Sequence, residues 1–213
     1  MFGEHELKTQ FIKIIDKKIH LVESSGNTVL YRRDDVRVLI KRGDEKLRVL
    51  PAPAEGYGVK FLFIKLSEKI AIPPKERLVG YLSAPIDVSV MSGDLEIDRF
   101  VVGREKYTLY GEKTVGVIAR YHESDFYEKP PDSPGIVKLV ISNPTESWKL
   151  VERIVFPIRN SVMFYSAEKA YYPLVILTTK EIYEVNNTGN PPDGTLKPTH
   201  EAEPLPNFRM RWS

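Results

Sequence analysis

The sequence predicts a mainly β fold, built as two small antiparallel β-sandwich domains, with an immunoglobulin-like arrangement as one option. Three observations predict it. Short runs of branched and aromatic residues recur between charged turns, polarity alternates with period two in several of them, and a proline-rich break divides the chain near its middle. Many short strands need their apolar faces covered, and layered sheets are the simplest way to cover them.

The first half carries strand-like runs at Phe11–Ile15, Ile19–Val22, Thr28–Tyr31, Val36–Ile40 and Leu47–Leu50. Ser25-Gly26-Asn27 and Arg42-Gly43-Asp44 supply turns between them, so an antiparallel meander is expected. Pro51-Ala52-Pro53 reads as an interruption of that pattern, and Val59–Leu66 as a central strand covered on its faces. Pro73-Pro74 marks another break. In Ile86–Val90 and Leu95–Asp98 the alternation places Asp87, Ser89, Glu96 and Asp98 on the face opposite the apolar side chains. Thr114–Tyr121 is a further strand.

The break at His122 to Gly135 contains Tyr127-Glu128-Lys129-Pro130-Pro131-Asp132-Ser133-Pro134 and suggests an organisation in three parts. Residues 1–121 form an N-terminal β domain, 122–135 a connection, and 136–213 a C-terminal β domain with an irregular tail. Ile136–Ile141 resumes the strand pattern. Trp148–Phe156 fits either an amphipathic helix capped by Asn143 or a strand paired with its predecessor, bulged near Glu152 and ended by Pro157. The strand is the favoured reading, because its neighbours Val162–Tyr165, Leu174–Thr179 and Ile182–Val185 are also strand-like. From Asn186 the chain becomes rich in Asn, Gly and Pro and reads as a loosely attached tail that Phe208 and Trp212 anchor; Arg209, Arg211 and Trp212 also form a small candidate peptide-contact cluster. Phe61, Phe63, Trp148 and Phe156 are expected in the core, where full burial of a phenylalanine stabilises by about 1.5–3 kcal/mol.

Composition excludes several functions. The chain has 213 residues and no cysteine, so disulfides, thiolate nucleophiles and cysteine-bound metals are ruled out. A net charge of +2 supplies no broad footprint for nucleic acid, and no apolar stretch approaches a membrane span. Nucleic-acid and membrane binding are therefore not favoured, and a soluble, cytoplasmic protein is expected. A single glutamine beside abundant opposite charges leans toward a thermophilic source.

Candidate sites are sparse. Tyr121-His122-Glu123-Ser124-Asp125 is the densest mixed-polar segment, and His122, Glu123 and Asp125 are a candidate polar site, although adjacent strand residues point to opposite faces. His5, His20 and His200 lack metal-ligand spacing, and no serine lies in a nucleophile-elbow context. Arg32-Arg33-Asp34-Asp35 reads as a solvated turn, and the scattered glycines as relief of turn strain rather than a phosphate loop. Asn186-Asn187-Thr188 matches a glycosylation acceptor and reads as a turn. The sequence points to no cofactor.

Gly135-Ile136-Val137-Lys138-Leu139, the later Asn143 and Trp148, Arg153-Ile154-Val155-Phe156-Pro157 and the preceding Arg120-Tyr121 resemble an uncharacterised archaeal protein family over nearly the whole chain. The matching residues look like structural landmarks, and the resemblance implies no activity.

A protein-interaction or structural module is the leading functional expectation, with a protein partner or a second copy pairing along an edge formed by Val137, Lys138, Leu139, Val140 and Ile141. The competing structural reading is complete pairing of that strand inside its own sheet. A small-ligand-binding protein, or a carbohydrate-active enzyme whose carboxylates converge on folding, is the alternative.

Overall fold

A computed structural model of the protein describes residues 1–24, 26–43, 46–112, 114–200 and 208–210. None of these is helical, and the mainly β expectation holds. In chain order the strands are β1 (Gly3–His5), β2 (Gln10–Ile14), β3 (Lys17–Ser24), β4 (Thr28–Arg33), β5 (Val36–Lys41), β6 (Leu47–Pro53) and β7 (Phe61–Ile72). There follow β8 (Arg77–Ala84), β9 (Ile86–Ser92), β10 (Leu95–Val101), β11 (Tyr107–Tyr110), β12 (Val117–Ser124), β13 (Gly135–Ser142) and β14 (Lys149–Pro157). The short closing strands are β15 (Phe164–Tyr165), β16 (Ala170–Tyr171), β17 (Val175–Thr179), β18 (Tyr183–Asn187), β19 (Lys197–Pro198) and β20 (Phe208–Arg209).

The expected meander exists as the antiparallel sheet β2-β3-β4-β5. Its predicted fifth strand, β6, instead joins the sheet β1-β6-β9-β10. Tyr31 and Arg33 on β4 reach Asp98 on β10, so the meander packs against that sheet. A third sheet has the order β11-β12-β7-β14, and a fourth runs β19-β15-β16-β13-β17-β18-β20 with β8 on the other flank of β13. Most ladders are antiparallel; β12 with β7, and β13 with β16 and β17, are parallel.

Strands from both sides of the 122–135 connection hydrogen-bond to each other. β8 pairs with β13 from Arg77↔Ser142 to Ala84↔Gly135, and β7 pairs with β14. Gly135 makes the first of these ladders possible, because a Cβ there would stand 2.4 Å from the Ala84 carbonyl oxygen.

The strand reading of Trp148–Phe156 holds as β14, Lys149–Pro157, with a register shift between Val151 and Arg153 as the polarity pattern predicts; Trp148 lies just outside it and Pro157 is its last residue. Its partner is β7 rather than its predecessor β13. Asn143 caps no helix: its buried amide donates to the carbonyls of Ile72, Pro73 and Ser147, while its Oδ1 accepts from Thr145.

Several expectations need correction. Pro51 and Pro53 lie inside β6, not in a break. β1 covers β6 only as far as Val49, so the missing proline donors, two residues apart on one side, face no neighbouring strand. Trp148, just before β14, is 65% exposed; Phe61 and Phe63 are half-buried, and only Phe156 of the four is fully buried. Asn186 and Asn187 end β18 rather than forming a turn, and the Asn187 amide donates to Pro157 and Ser161. The tail is tied down as well: Thr199 donates its amide to the Met163 carbonyl, and Lys138 reaches the Pro192 carbonyl. Phe208 packs on Phe61 at 5.0 Å and Arg209 pairs with Glu184, whereas Arg211 and Trp212 lie outside the described residues, as do Ser25 and Asp44 of the predicted turns.

Candidate functional site

The period-two pattern of β9 buries both of its faces. Ile86, Val88 and Val90 are fully buried on one side, while Asp87 and Ser89 on the other are covered as well. An ionised carboxylate withdrawn from water needs compensating donors. The turn after β6 supplies one: the Gly56 amide donates to Asp87 Oδ2 at 2.9 Å. Gly56 has φ +48, and a Cβ there would stand 2.5 Å from Tyr107 Oη, so a glycine is needed both for the backbone and for the close approach. Burial outweighs the Gly56 amide and the Arg99 and Arg120 charges, and pushes the Asp87 carboxyl up to about 6.

Arg99, on β10, is the hub of an adjoining surface cleft. Its guanidinium lies 3.5 Å from Glu55, 3.8 Å from Glu96 and 3.9 Å from Asp87, and donates to the Pro53 carbonyl at 3.3 Å. Ser89 donates to Glu96 at 2.6 Å, and Glu55 accepts from the Asn160 amide at 3.0 Å, so both glutamates are held in place. The cleft has a volume of about 580 Å³. Arg48, Asn160 and His200 stand on its walls and Leu50, Pro51 and Met91 give it apolar surface.

Behind Gly56 lies a second polar group. Arg120 on β12 is fully buried and donates through Nη1 to Glu105 Oε1 at 2.9 Å and Tyr107 Oη at 3.1 Å. Its guanidinium carbon is 5.2 Å from the centre of the Tyr107 ring, within cation–π range. Tyr172, also fully buried, accepts from the Ala54 amide and donates to the Pro85 carbonyl, which fixes the turn over this region.

The structure separates the residues of the predicted polar site. His122 shares a strand face with Ser124, its ring Nε2 lying 3.0 Å from Ser83 Oγ, and burial lowers its pKa. Glu123 points to the other face, where it accepts from Tyr121 at 2.6 Å and faces Lys65 at 3.9 Å. Asp125 lies beyond the end of β12 and accepts a weak contact from Tyr127 at 3.4 Å. Among the described residues no group of three or more His, Asp or Glu side chains is arranged to hold a metal ion.

The predicted edge residues lie inside the fourth sheet. Val137, Lys138, Leu139, Val140 and Ile141 all pair with β8 on one flank. On the other, Leu139, Val140 and Ile141 pair with β17, while β16 brackets the start of the strand. A partner strand finds no free flank along Leu139–Ile141. Arg33 is likewise no solvated turn residue, since it is buried against Asp98.

Sequence reasoning missed the cleft and its buried neighbour. Asp87, Ser89 and Glu96 were legible as one face, but Asp98 was not, because the register shift between Glu96 and Asp98 carries it to the face of Val88 and Val90. The same shift brings Arg99 to the Ser89 face, and Glu55, Arg120 and Asn160 come from three other segments. No described helix is long and apolar enough to cross a membrane. Residues 1–213 match the model of a family described as "Protein of unknown function (DUF432)". No curated protein and no solved structure matches the chain.

Proposed function

The chain belongs to the DUF432 family, and on that premise we propose that it binds a small polyhydroxylated molecule, such as a sugar, in the Arg99 cleft. The carrying observation is that one guanidinium holds Glu55 and Glu96 in a cleft of about 580 Å³, within the usual size of small-molecule sites. Carboxylate acceptors and guanidinium donors match the vicinal hydroxyls of a polyol, and Leu50, Pro51 and Met91 offer apolar surface to its C–H faces. Titration with a panel of mono- and oligosaccharides, followed by backbone amide shifts, tests this. Shifts confined to β6, β9 and the Asn160 segment are expected, with Arg99→Ala weakening binding about tenfold or more, equivalent to roughly 1.4 kcal/mol. Absence of cleft shifts at millimolar sugar would remove the proposal. Two carboxylates also meet the minimum for glycoside hydrolysis, so cleavage products in the same samples would convert the reading from binding to catalysis.

A second reading keeps the interaction module but moves it away from β13. β11 ends its sheet, and Leu109, Val117 and Ile118 on β11 and β12 are 47%, 41% and 61% exposed. An open antiparallel edge is self-complementary, so a second copy of this chain is the occupant considered. Light scattering should then show a dimer that Leu109→Lys with Ile118→Lys dissociates; a monomer at high micromolar concentration defeats this reading.

A further inference from the structure

We infer that Asp87 and Arg120 together hold a single buried water molecule beneath the Gly56 turn, joining the β1-β6-β9-β10 sheet to the β11-β12-β7-β14 sheet. Asp87 Oδ1 and Arg120 Nε and Nη2 are buried atoms with no hydrogen-bond partner among the described residues. Their sister atoms are all used: Asp87 Oδ2 accepts from Gly56, and Arg120 Nη1 donates to Glu105 and Tyr107. The two charged groups do not pair with each other; Asp87 faces Arg99 at 3.9 Å and Arg120 pairs with Glu105 at 2.9 Å. Buried polar atoms are nearly always satisfied, and leaving three of them dry is strongly unfavourable.

The chemistry of the three atoms selects the ligand. It must accept from a guanidinium and donate to a carboxylate. A halide accepts but cannot donate, and a metal cation is repelled by Arg120. Water does both, with the two to four partners that buried waters have. Size points the same way. A Cβ on Gly56 would stand 2.5 Å from Tyr107 Oη, 2.9 Å from Glu105 Oε1 and 3.4 Å from Arg120 Nη1, so the roof admits nothing bulky on that side. Asp87 is 1% exposed and Arg120 fully buried, so the site is closed to bulk solvent. None of this depends on what the Arg99 cleft binds.

A crystal structure of the full chain at neutral pH, at a resolution that orders internal waters, tests the inference. The expected result is one density peak within about 2.6–3.2 Å of Asp87 Oδ1 and of Arg120 Nε or Nη2. In solution, a water-to-amide Overhauser effect at Gly56 should accompany it. A direct Asp87–Arg120 contact, an empty gap, or an anomalous signal there from crystals grown in bromide would overturn it. In the double variant Asp87→Leu with Arg120→Met the peak should vanish, and its persistence would also overturn the assignment. If that variant fails to fold, the unsubstituted crystal decides.

Discussion

Asp98→Ala is expected to lower the unfolding free energy by about 3–5 kcal/mol, the range for breaking a buried ion pair by removing one partner. Asp98 receives two guanidinium bonds from Arg33, Nε to Oδ2 at 2.6 Å and Nη2 to Oδ1 at 3.0 Å, and a third bond from the Tyr31 hydroxyl at 2.5 Å. The side chains of Arg33 and Asp98 are only 10% and 5% exposed, so water cannot take over when the carboxylate is lost. The Arg33 guanidinium also lies 4.4 Å from the centre of the Phe100 ring, and its other carboxylate partner is the half-exposed Asp34 at 2.9 Å. Removal of both partners should hurt less than removal of one. Asp98→Leu combined with Arg33→Met is therefore expected to recover part of the loss, because it leaves no unpaired charge inside. Urea unfolding of the single and double variants measures the comparison. A loss below about 1 kcal/mol for Asp98→Ala would place this pair with exposed salt bridges instead.

The contrast between this pair and its sequence context shows where local reading ends. Alternation in Ile86–Val90 identifies which residues share a face, and the apolar face is buried as that pattern requires. In Leu95–Asp98 it fails, because the register shift between Glu96 and Asp98 turns Asp98 to the face of Val88 and Val90 and leaves Leu95 66% exposed. The pattern also carries no information about what covers a polar side chain. Asp98 is covered by Tyr31 and Arg33 from a strand 65 or more residues earlier, and Asp87 by a turn 31 residues earlier. The bulge at Glu152 was legible because it corrects a mismatch visible within one segment. Strand partners were not: nothing within Trp148–Phe156 distinguishes β7 from β13 as its neighbour. Pro51 and Pro53 mislead for a related reason, since proline forbids only the hydrogen bond on its own side and the sequence does not show that this side of β6 is open. Of the candidate site, the polar face of β9 was legible, while Arg99 and Arg120 had no local feature to separate them from ordinary surface charge.

The buried carboxylate of Asp87 should give the protein a pH dependence opposite in sign to that of its paired surface acids, such as Asp34 and Glu152, which Lys17 and Lys69 hold below the usual carboxylate range. Burial raises its pKa from 3.8 to about 6, against the Gly56 amide and the positive charges of Arg99 and Arg120, and with a small further push from Glu105. The folded state therefore binds a proton that the unfolded chain has already released between those values. The resulting stability is fully present below pH 3.8 and is lost as pH rises through about 6, an effect of about 3 kcal/mol. His122 and His5 act in the opposite sense, since burial lowers both and protonation below pH 6.5 favours the unfolded chain. The raw profile thus mixes two trends, but Asp87→Asn removes only one. Between about pH 3.5 and pH 7, the stability of the unsubstituted protein minus that of Asp87→Asn should fall by about 3 kcal/mol in urea titrations. A difference that stays flat across this interval would mean that Asp87 titrates as an ordinary exposed acid and is not withdrawn from bulk solvent.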